Sequence, residues 1–471
     1  MIRMPNPPPR QPHGGRPSTL TAGLAAFALA NVLLVSGLLV ALPNTGLAET
    51  SLEHAQRFLR FDASHDSWEP IREAYQHLRD DAPGKVYDAV FFDRDIKFQY
   101  PLSTLMPAEV LDRVTSGDSI PFTPFNAASW AAIWITALFV AMIFLRSLEK
   151  YAPAYLPARR MERLFVAAVV FSMTITFYPL TKAFTLGQIQ AWISCLFAAL
   201  VWLWLVNRPV AAGVVGGLIC VIKPQLGLLL VWSLIRRQWG FAWAFSITAG
   251  VVAVATLALY GVSQNLNYFD VLSFISRRGE GYYPNQSING LLNRLLENGQ
   301  NREFAADAFP PFDPIVYTGT VLTSLVIVGL ALLWRWRDRQ AAGTLDLLIA
   351  GLSFTIASPV AWEHHYGVLM PMYAVLLPAL LRWPVFGRWT LLLLGASYVL
   401  TSQFFHTAQE LADRWYLTPG QSYLLGGASF VLVMLYFVRQ REAEDPAFVA
   451  EAAGPQPSNS VAPSVAASTI S

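Results

Sequence analysis

Apolar runs approaching 20 residues recur along almost the whole of this chain, and about that length is what an α-helix needs to cross the hydrocarbon of a bilayer. No water reaches that layer, so backbone placed there must satisfy its hydrogen bonds internally. The expected fold is therefore an all-α polytopic membrane protein. Composition agrees: hydrophobic residues make up 54% of 471 and charged residues 14%, far from an ordinary soluble domain. The spans are expected at 19–44, 127–146, 163–181, 189–206, 210–222, 224–236, 240–261, 314–334, 344–357, 366–382, 389–404 and 420–438. A net charge of +2 with no basic patch interleaved with aromatics argues against nucleic acid as a partner. Cys195 and Cys220 both fall inside spans, where a structural disulfide is not expected.

Charge sets the orientation. Arg3, Arg10 and Arg16 precede the first span, which puts the N-terminus in the cytoplasm. The first apolar stretch is longer than the 7–15 residues of a signal peptide, so a retained anchor is expected in spite of Gly46-Leu-Ala48 behind it. With twelve spans, the basic loops at Arg146–Arg163, Arg208, Arg236-Arg237, Arg335–Arg339, Arg382–Arg388 and Arg439–Arg441 all fall on the cytoplasmic side. Both termini are then cytoplasmic, in a bacterial plasma membrane.

One stretch is too short for this scheme. Between Arg208 and Arg236 the chain must go out and back in 27 residues, where two full crossings take about 40. Two short helices meeting at Lys223-Pro224 resolve the difficulty, since proline lacks an amide donor and disfavours helix at the residue before it. Irregular backbone at that depth is tolerated only against protein or a water-filled cavity. The break thus points to a cavity with Lys223 in it.

Residues 45–126 and 262–313 form two large extracytoplasmic loops, longer than connectors need to be. Helical patterning runs through Trp68–Leu78 and Leu102–Val114. Residues 19–440 make up the transmembrane domain, and the Ala-, Pro- and Ser-rich tail at 441–471 is expected to be disordered.

Six short polar motifs lie at the outer ends of spans: Asp66/Glu69, Phe98-Gln-Tyr-Pro101, Gly187-Gln188, Lys223-Pro224, Asn285-Gln286-Ser287 and Ser358-Pro-Val-Ala-Trp-Glu-His-His365. Their convergence on one face suggests a single extracytoplasmic site. A loop carboxylate such as Asp66 or Glu69 can take the proton of an attacking hydroxyl, although most loop carboxylates are solvated surface charges. A lysine inside a hydrophobic hairpin costs about 2.5–3.5 kcal/mol to insert, which makes Lys223 a functional candidate. Its amine suits a phosphate leaving group; snorkelling to the interface is the plain alternative. Adjacent His364 and His365 point about 100° apart on a helix, unlike the i, i+4 pair of a helical metal site. Hydrogen bonding to phosphate or sugar is therefore expected of them, and no metal. Asn285 and Gln286 carry amides suited to sugar hydroxyls or to capping. Arg277 and Arg278 suit phosphate. Gly187-Gln188 and Tyr100-Pro101 are each too short to specify a chemistry alone.

Taken in order, these motifs resemble glycosyltransferase family 87, the polyprenol-phosphate-mannose-dependent hexosyltransferases of the GT-C membrane fold. The resemblance is carried chiefly by Asn285-Gln286-Ser287 and Ser358–His365. Val86-Tyr-Asp88, Phe98-Gln-Tyr-Pro101, Gly187-Gln188-Ile-Gln190 and Lys223-Pro224 support it. Two positions depart from the family pattern: Tyr-Pro-Pro reads Tyr100-Pro101-Leu102, and Gly-Gln-x-Asn ends in Gln190. The resemblance implies a GT-C-like bundle and a hexose, mannose by analogy, moved from a polyprenyl-phosphate donor to a glycolipid or glycan acceptor by inverting displacement. No cofactor beyond that lipid-linked co-substrate is implied. Counting the family's spacing back from Tyr87-Asp88 places the catalytic carboxylate at Glu69, with Asp66 one turn earlier as the alternative. Lys223, His364, His365, Arg277 and Arg278 would hold the donor phosphate, and Tyr100, Gln188, Asn285, Gln286 and Glu363 the sugar or acceptor. The rival class is a transporter or flippase, which the broken hairpin also suits.

Overall fold

The structure is a computed structural model and describes residues 17–41, 50–115, 120–305, 307–336, 343–405, 415–446 and 448. Among these the chain is all-α, with one isolated β-type bridge, between Asn285 and Trp362. The apolar runs become helices in the expected order. They are α1 (Pro17–Ala41), α2 (Ser51–Leu59), α3 (Trp68–Arg79), α4 (Met106–Thr115), α5 (Thr123–Tyr151), α6 (Arg160–Ile175), α7 (Tyr178–Thr185) and α8 (Gln190–Leu205). There follow α9 (Pro209–Ile222), α10 (Leu228–Ile235), α11 (Trp239–Arg278), α12 (Ile288–Leu295), α13 (Pro314–Leu333), α14 (Thr344–Ile356), α15 (Leu369–Arg382), α16 (Thr390–Ser402) and α17 (Tyr423–Glu444).

Among the described residues five helices are long and apolar enough to cross a membrane, or six with α6 and α7 taken as one span bent by 51°. The other apolar helices are shorter. The α9–α10 hairpin breaks where the sequence puts it, with Lys223 and a 3-10 turn over Pro224–Gly227 between its arms. Trp243, Ile247, Val251 and Val254 on α11 and Leu322, Leu325 and Val326 on α13 all face outward. Apolar residues so exposed over whole helix faces fit lipid rather than water.

The bundle core gathers around α14, every residue of which is buried, the state expected of a helix that is hydrophobic all round. Phe144, Phe197, Met372 and Leu435 close on it from the neighbouring helices. Gly216 lets α9 lie flat on α11: a Cβ there would come within 3.0 Å of the Phe241 and Phe245 rings, the close approach that small residues permit between membrane helices. At the end of the bundle away from the motifs, Arg236 and Asp346 form a pair at 2.6 Å with side chains only 1% and 2% exposed.

A second core lies over the motif end. The first long loop folds as α3, a π-helical turn at Asp88–Asp93 and α4. Trp68, Ile71, Tyr75, Tyr87, Phe91 and Phe98 pack there against Tyr268, Val271 and Ile275 of α11. That contact exists because α11 overruns its expected end at 261. It bends at Gly261, whose φ of 80° and ψ of 163° leave the helical region, and continues to Arg278 beneath the loop. The expected tail also starts later, because α17 runs to Glu444; residues 449–471 lie outside the described residues, as do 1–16.

Candidate active site

The site is built on a close approach between two loops. Ser64 N donates to Thr185 O at 2.8 Å, Asp66 N to Leu186 O at 2.9 Å and Ser67 N to Gly187 O at 3.1 Å. This short ladder lays the Asp66 loop against the turn between α7 and α8. Only glycine suits position 187. Its φ is +70°, and a Cβ there would overlap the Ser64 carbonyl, so the requirement is both conformational and steric.

The next residue uses that closeness. Gln188 donates its amide to Asp66 Oδ2 and accepts from Ser67 Oγ at 2.8 Å and Tyr100 OH at 3.2 Å. Ser67 Oγ and Tyr100 OH lie 2.7 Å apart, and Tyr87 OH holds the Tyr100 carbonyl at 2.7 Å. Three motifs far apart in sequence thus meet around one carboxylate. Asp66 is open to solvent, yet it sits in a crowded cleft. Desolvation raises its pKa above the ordinary carboxylate range, opposed by the Gln188 bond and the charges of Lys182 and Lys97. Lys97 is itself pushed down by burial, with Glu280 at 3.2 Å opposing this.

Glu69 occupies a different environment. It lies in the first turn of α3, 65% exposed at its side chain and 3.7 Å from Arg72.

On the other side of the cleft, Lys223 Nζ donates to Gln190 Oε1 at 2.8 Å and enters no ion pair among the described residues. Gln190 reaches the His365 carbonyl at 3.5 Å, tying the hairpin break to the 3-10 turn Glu363–Val368. The rings of His364 and His365 are 4.9 Å apart and nearly perpendicular. Nε2 of His364 and Nδ1 of His365 are buried without a hydrogen-bond partner. Buried imidazole nitrogens are costly to leave unpaired, which fits an incoming ligand. Among the described residues no three His, Cys, Asp or Glu side chains gather as a metal-holding group.

Several residues expected to touch sugar serve the fold instead. Asn285, Gln286 and Ser287 are wholly buried. Asn285 accepts from Ala361 N at 2.9 Å and donates to Glu280 O at 2.8 Å and Pro359 O at 3.2 Å. Gln286 donates to Tyr283 O and Gln421 O, each at 2.8 Å, and accepts from Leu425 N at 3.1 Å. Ser287 caps α12 through Gly290 N at 3.0 Å. With their amides spent, Asn285 and Gln286 staple two loops together and offer nothing to a hydroxyl. Glu363, 1% exposed, is likewise anchored, by Tyr178 OH at 2.8 Å and Tyr423 OH at 3.0 Å. Arg277 is exposed and Arg278 lies 4.0 Å over the Phe274 ring. Among the described residues neither arginine has a hydrogen bond or ion pair to Asp66 or Lys223.

Asp66 bonded by Gln188, Lys223 bonded by Gln190 two residues on, and a turn with two unpaired imidazole nitrogens suit transfer of a group from an anionic carrier. The sequence profile of glycosyltransferase family 87 matches residues 98–359, more than half of the chain. The chain belongs to glycosyltransferase family 87. It is thus a membrane glycosyltransferase, which decides against the transporter expected as its rival. The family match takes in Tyr100, Gln188, Lys223 and the Asn285–Ser287 staple; Asp66, Glu69 and the histidine turn lie outside it.

Curated relatives point the same way. This family 87 chain is 24% identical over 72% of its length, and 77% of the relative's, to a polyprenol-phosphate-mannose-dependent α-(1-2)-phosphatidylinositol pentamannoside mannosyltransferase of Mycolicibacterium smegmatis. The protein of the same description from Mycobacterium tuberculosis is 24% identical over 62% of each chain. A polyprenol-phosphate-mannose-dependent α-(1-2)-phosphatidylinositol mannoside mannosyltransferase of M. tuberculosis is 27% identical over 58% of this chain and 65% of that one. No solved structure matches.

Lys182 escaped the sequence reading. It sits on α7, one helical turn after Tyr178, within electrostatic reach of both Asp66 and His364. A lysine near the end of an apolar span reads as an ordinary interfacial residue. Only the bend before α7 turns it toward the cleft.

Proposed function

We propose that this protein transfers a hexose, mannose in the first instance, from a polyprenyl-phosphate carrier to a hydroxyl of a glycolipid at the outer face of the membrane, with inversion at the anomeric carbon. The observation that carries the reading is the anchoring of Asp66 by Gln188 and of Lys223 by Gln190 at the entry to α8, with Gln190 also reaching the turn whose His364 and His365 keep unpaired nitrogens. The named substrates of the relatives supply the chemical class of donor and acceptor.

Asp66 is the general base in this reading. The acceptor oxygen forms its bond to the anomeric carbon as its proton passes to the Asp66 carboxylate. The bond from that carbon to the phosphate oxygen breaks, and its electron pair stays with the phosphate. Lys223 and the two imidazoles hold that phosphate. The raised pKa of Asp66 makes it a stronger base than a free carboxylate, as proton abstraction from a hydroxyl requires. Glu69 lies outward and assists only through its charge. Tyr100 and Ser67 orient Gln188. Positioning and charge stabilisation supply most of the rate.

In this reading the motif end faces the extracytoplasmic side, which the basic loops at the other end support. Membranes containing the protein, given labelled polyprenyl-phosphate mannose, transfer label to a glycolipid, and the Asp66→Asn protein at equal expression does not. Transfer by Asp66→Asn at the parent rate removes the base assignment; no transfer by the parent from any polyprenyl-phosphate hexose removes the donor class.

A further inference from the structure

The transfer reaction has a charge problem that a single lysine does not solve. A sugar phosphodiester carries one negative charge, whereas the prenyl phosphate monoester released approaches two at neutral pH. Lys223 matches the donor. The charge that develops as the bond breaks calls for a second cation, and catalysis gains most from a contact that strengthens only then.

We infer that Lys182 is that second cation: it contacts the phosphate of the lipid-linked donor and takes up the charge gained by the leaving group. The inference rests on the donor class proposed above. Tyr178 and Lys182 are four residues apart on α7 and share one face. That face is fixed toward the histidine turn by the bond from Tyr178 OH to Glu363 Oε2 at 2.8 Å. Lys182 is half-buried and has no ion pair or side-chain hydrogen bond among the described residues. The helix that carries it packs against the Glu363–Val368 turn on one side and runs into the Thr185–Gly187 ladder that holds the Asp66 loop on the other. His54 is 3% exposed, its Nδ1 is 2.6 Å from Thr185 Oγ1, and its Nε2 is buried without a partner. Lys182 thus lies on a helix packed between α2, whose His54 ring meets Tyr178 at 5.5 Å, and the histidine turn, with three imidazole nitrogens unpaired on these elements. Unpaired donors at this density in a low-dielectric setting are costly unless an anion fills the space between them.

The two lysines divide the work. Lys223, fixed by Gln190, binds donor and product alike, and its loss raises the donor KM. Lys182 gains its contact as the phosphate becomes a monoester, and its loss lowers kcat.

Kinetics with the full-length protein in lipid nanodiscs test this, with polyprenyl-phosphate mannose as the varied substrate. Lys182→Met lowers kcat by about 100-fold, the usual cost of removing one charge-stabilising donor, with the donor KM within about threefold of the parent and an unchanged melting temperature. Lys182→Arg recovers most of kcat. A kcat of Lys182→Met within about threefold of the parent overturns the inference, and so does a loss confined to KM. Binding gives a second measurement that needs no turnover. The parent binds farnesyl phosphate, a monoester, about tenfold more tightly than farnesyl methyl phosphate, a diester, and Lys182→Met loses that preference. Equal binding of the two by the parent, or a preference that survives in Lys182→Met, refutes the assignment. A parent that prefers the monoester yet transfers no mannose leaves the phosphate site standing and overturns the mannosyl donor instead.

Discussion

Gln188 donates its side-chain amide to Asp66 Oδ2 and takes the Ser67 hydroxyl on its other end, at 2.8 Å. The first of these bonds favours one orientation of the Asp66 carboxylate. A hydrogen bond to the ionised form favours it, whereas desolvation disfavours it, and here the two oppose each other at one carboxylate.

The pH dependence follows. Asp66 must be ionised to act as a base and its pKa is raised, so activity falls as pH drops through that raised value. Gln188→Leu removes the bond that favours the carboxylate, so the pKa rises further and the acid limb moves to higher pH. A profile of kcat/KM against pH for the two proteins measures the displacement. A limb that stays in place or moves down separates Asp66 from the proton transfer.

The two acidic candidates differ by far more than a turn of helix suggests. Asp66→Asn keeps an amide oxygen for the Gln188 bond but leaves the acceptor hydroxyl without its base, and kcat falls by about 100-fold or more. Glu69→Gln, on an exposed side chain paired only at 3.7 Å with Arg72, retains activity within about threefold, since surface pairs contribute about 0–1 kcal/mol. Single-turnover rates at saturating donor distinguish them.

Gly187 tests the architecture rather than the chemistry. A Cβ there overlaps the Ser64 carbonyl, and φ is +70°, a region that costs an L-residue about 1–2 kcal/mol even without a clash. In Gly187→Ala the ladder between residues 64–67 and 185–187 opens and Asp66 withdraws from Lys223. Transfer is lost while the bundle remains folded, which near-ultraviolet circular dichroism and a retained melting transition report together with the assay.

What could be read from the sequence divides along physical lines. Helices announce themselves through local hydrophobicity, and even the hairpin break at Lys223-Pro224 followed from counting residues against bilayer thickness. Contacts between residues 66, 100 and 188 leave no trace in any local window, and so Gly187-Gln188 and Tyr100-Pro101 looked empty. Asn285 and Gln286 pose the opposite difficulty. Their chemistry suits sugars, and the chain spends that chemistry on its own backbone. Burial decides between these uses, and one sequence does not report burial at a loop. The spacing count measures distance along α3 and favours Glu69, whereas the Gln188 bond that supports Asp66 in the proposed reading depends on a second loop arriving from α7.

The staple makes a prediction in which stability and binding part. Asn285→Ala leaves Ala361 N and the Glu280 carbonyl without their partner in a wholly buried setting, while Pro359 O keeps the Ser287 hydroxyl at 2.9 Å. Each buried group so orphaned costs about 1–3 kcal/mol. The melting temperature in detergent drops by several degrees, while the folded fraction keeps the parent KM for the glycolipid acceptor. An acceptor KM raised tenfold at unchanged stability returns Asn285 to the sugar.

A last prediction concerns the far end of the bundle. Arg236 and Asp346 are almost fully buried and bonded at 2.6 and 3.2 Å, and Trp232 Nε1 adds a bond to the same carboxylate at 3.2 Å. Asp346→Ala strands a buried guanidinium and costs about 3–5 kcal/mol, whereas replacing both charges by apolar residues of similar volume is often neutral. The double variant Arg236→Met, Asp346→Leu therefore melts above Asp346→Ala. Because α14 carries Asp346 at one end and leads at its other end into the loop bearing the histidine turn, the single variant also loses transfer activity, and the double variant regains it along with stability. Activity restored in step with the melting temperature assigns the pair to the scaffold. Stability restored without activity assigns it a part in positioning His364 and His365.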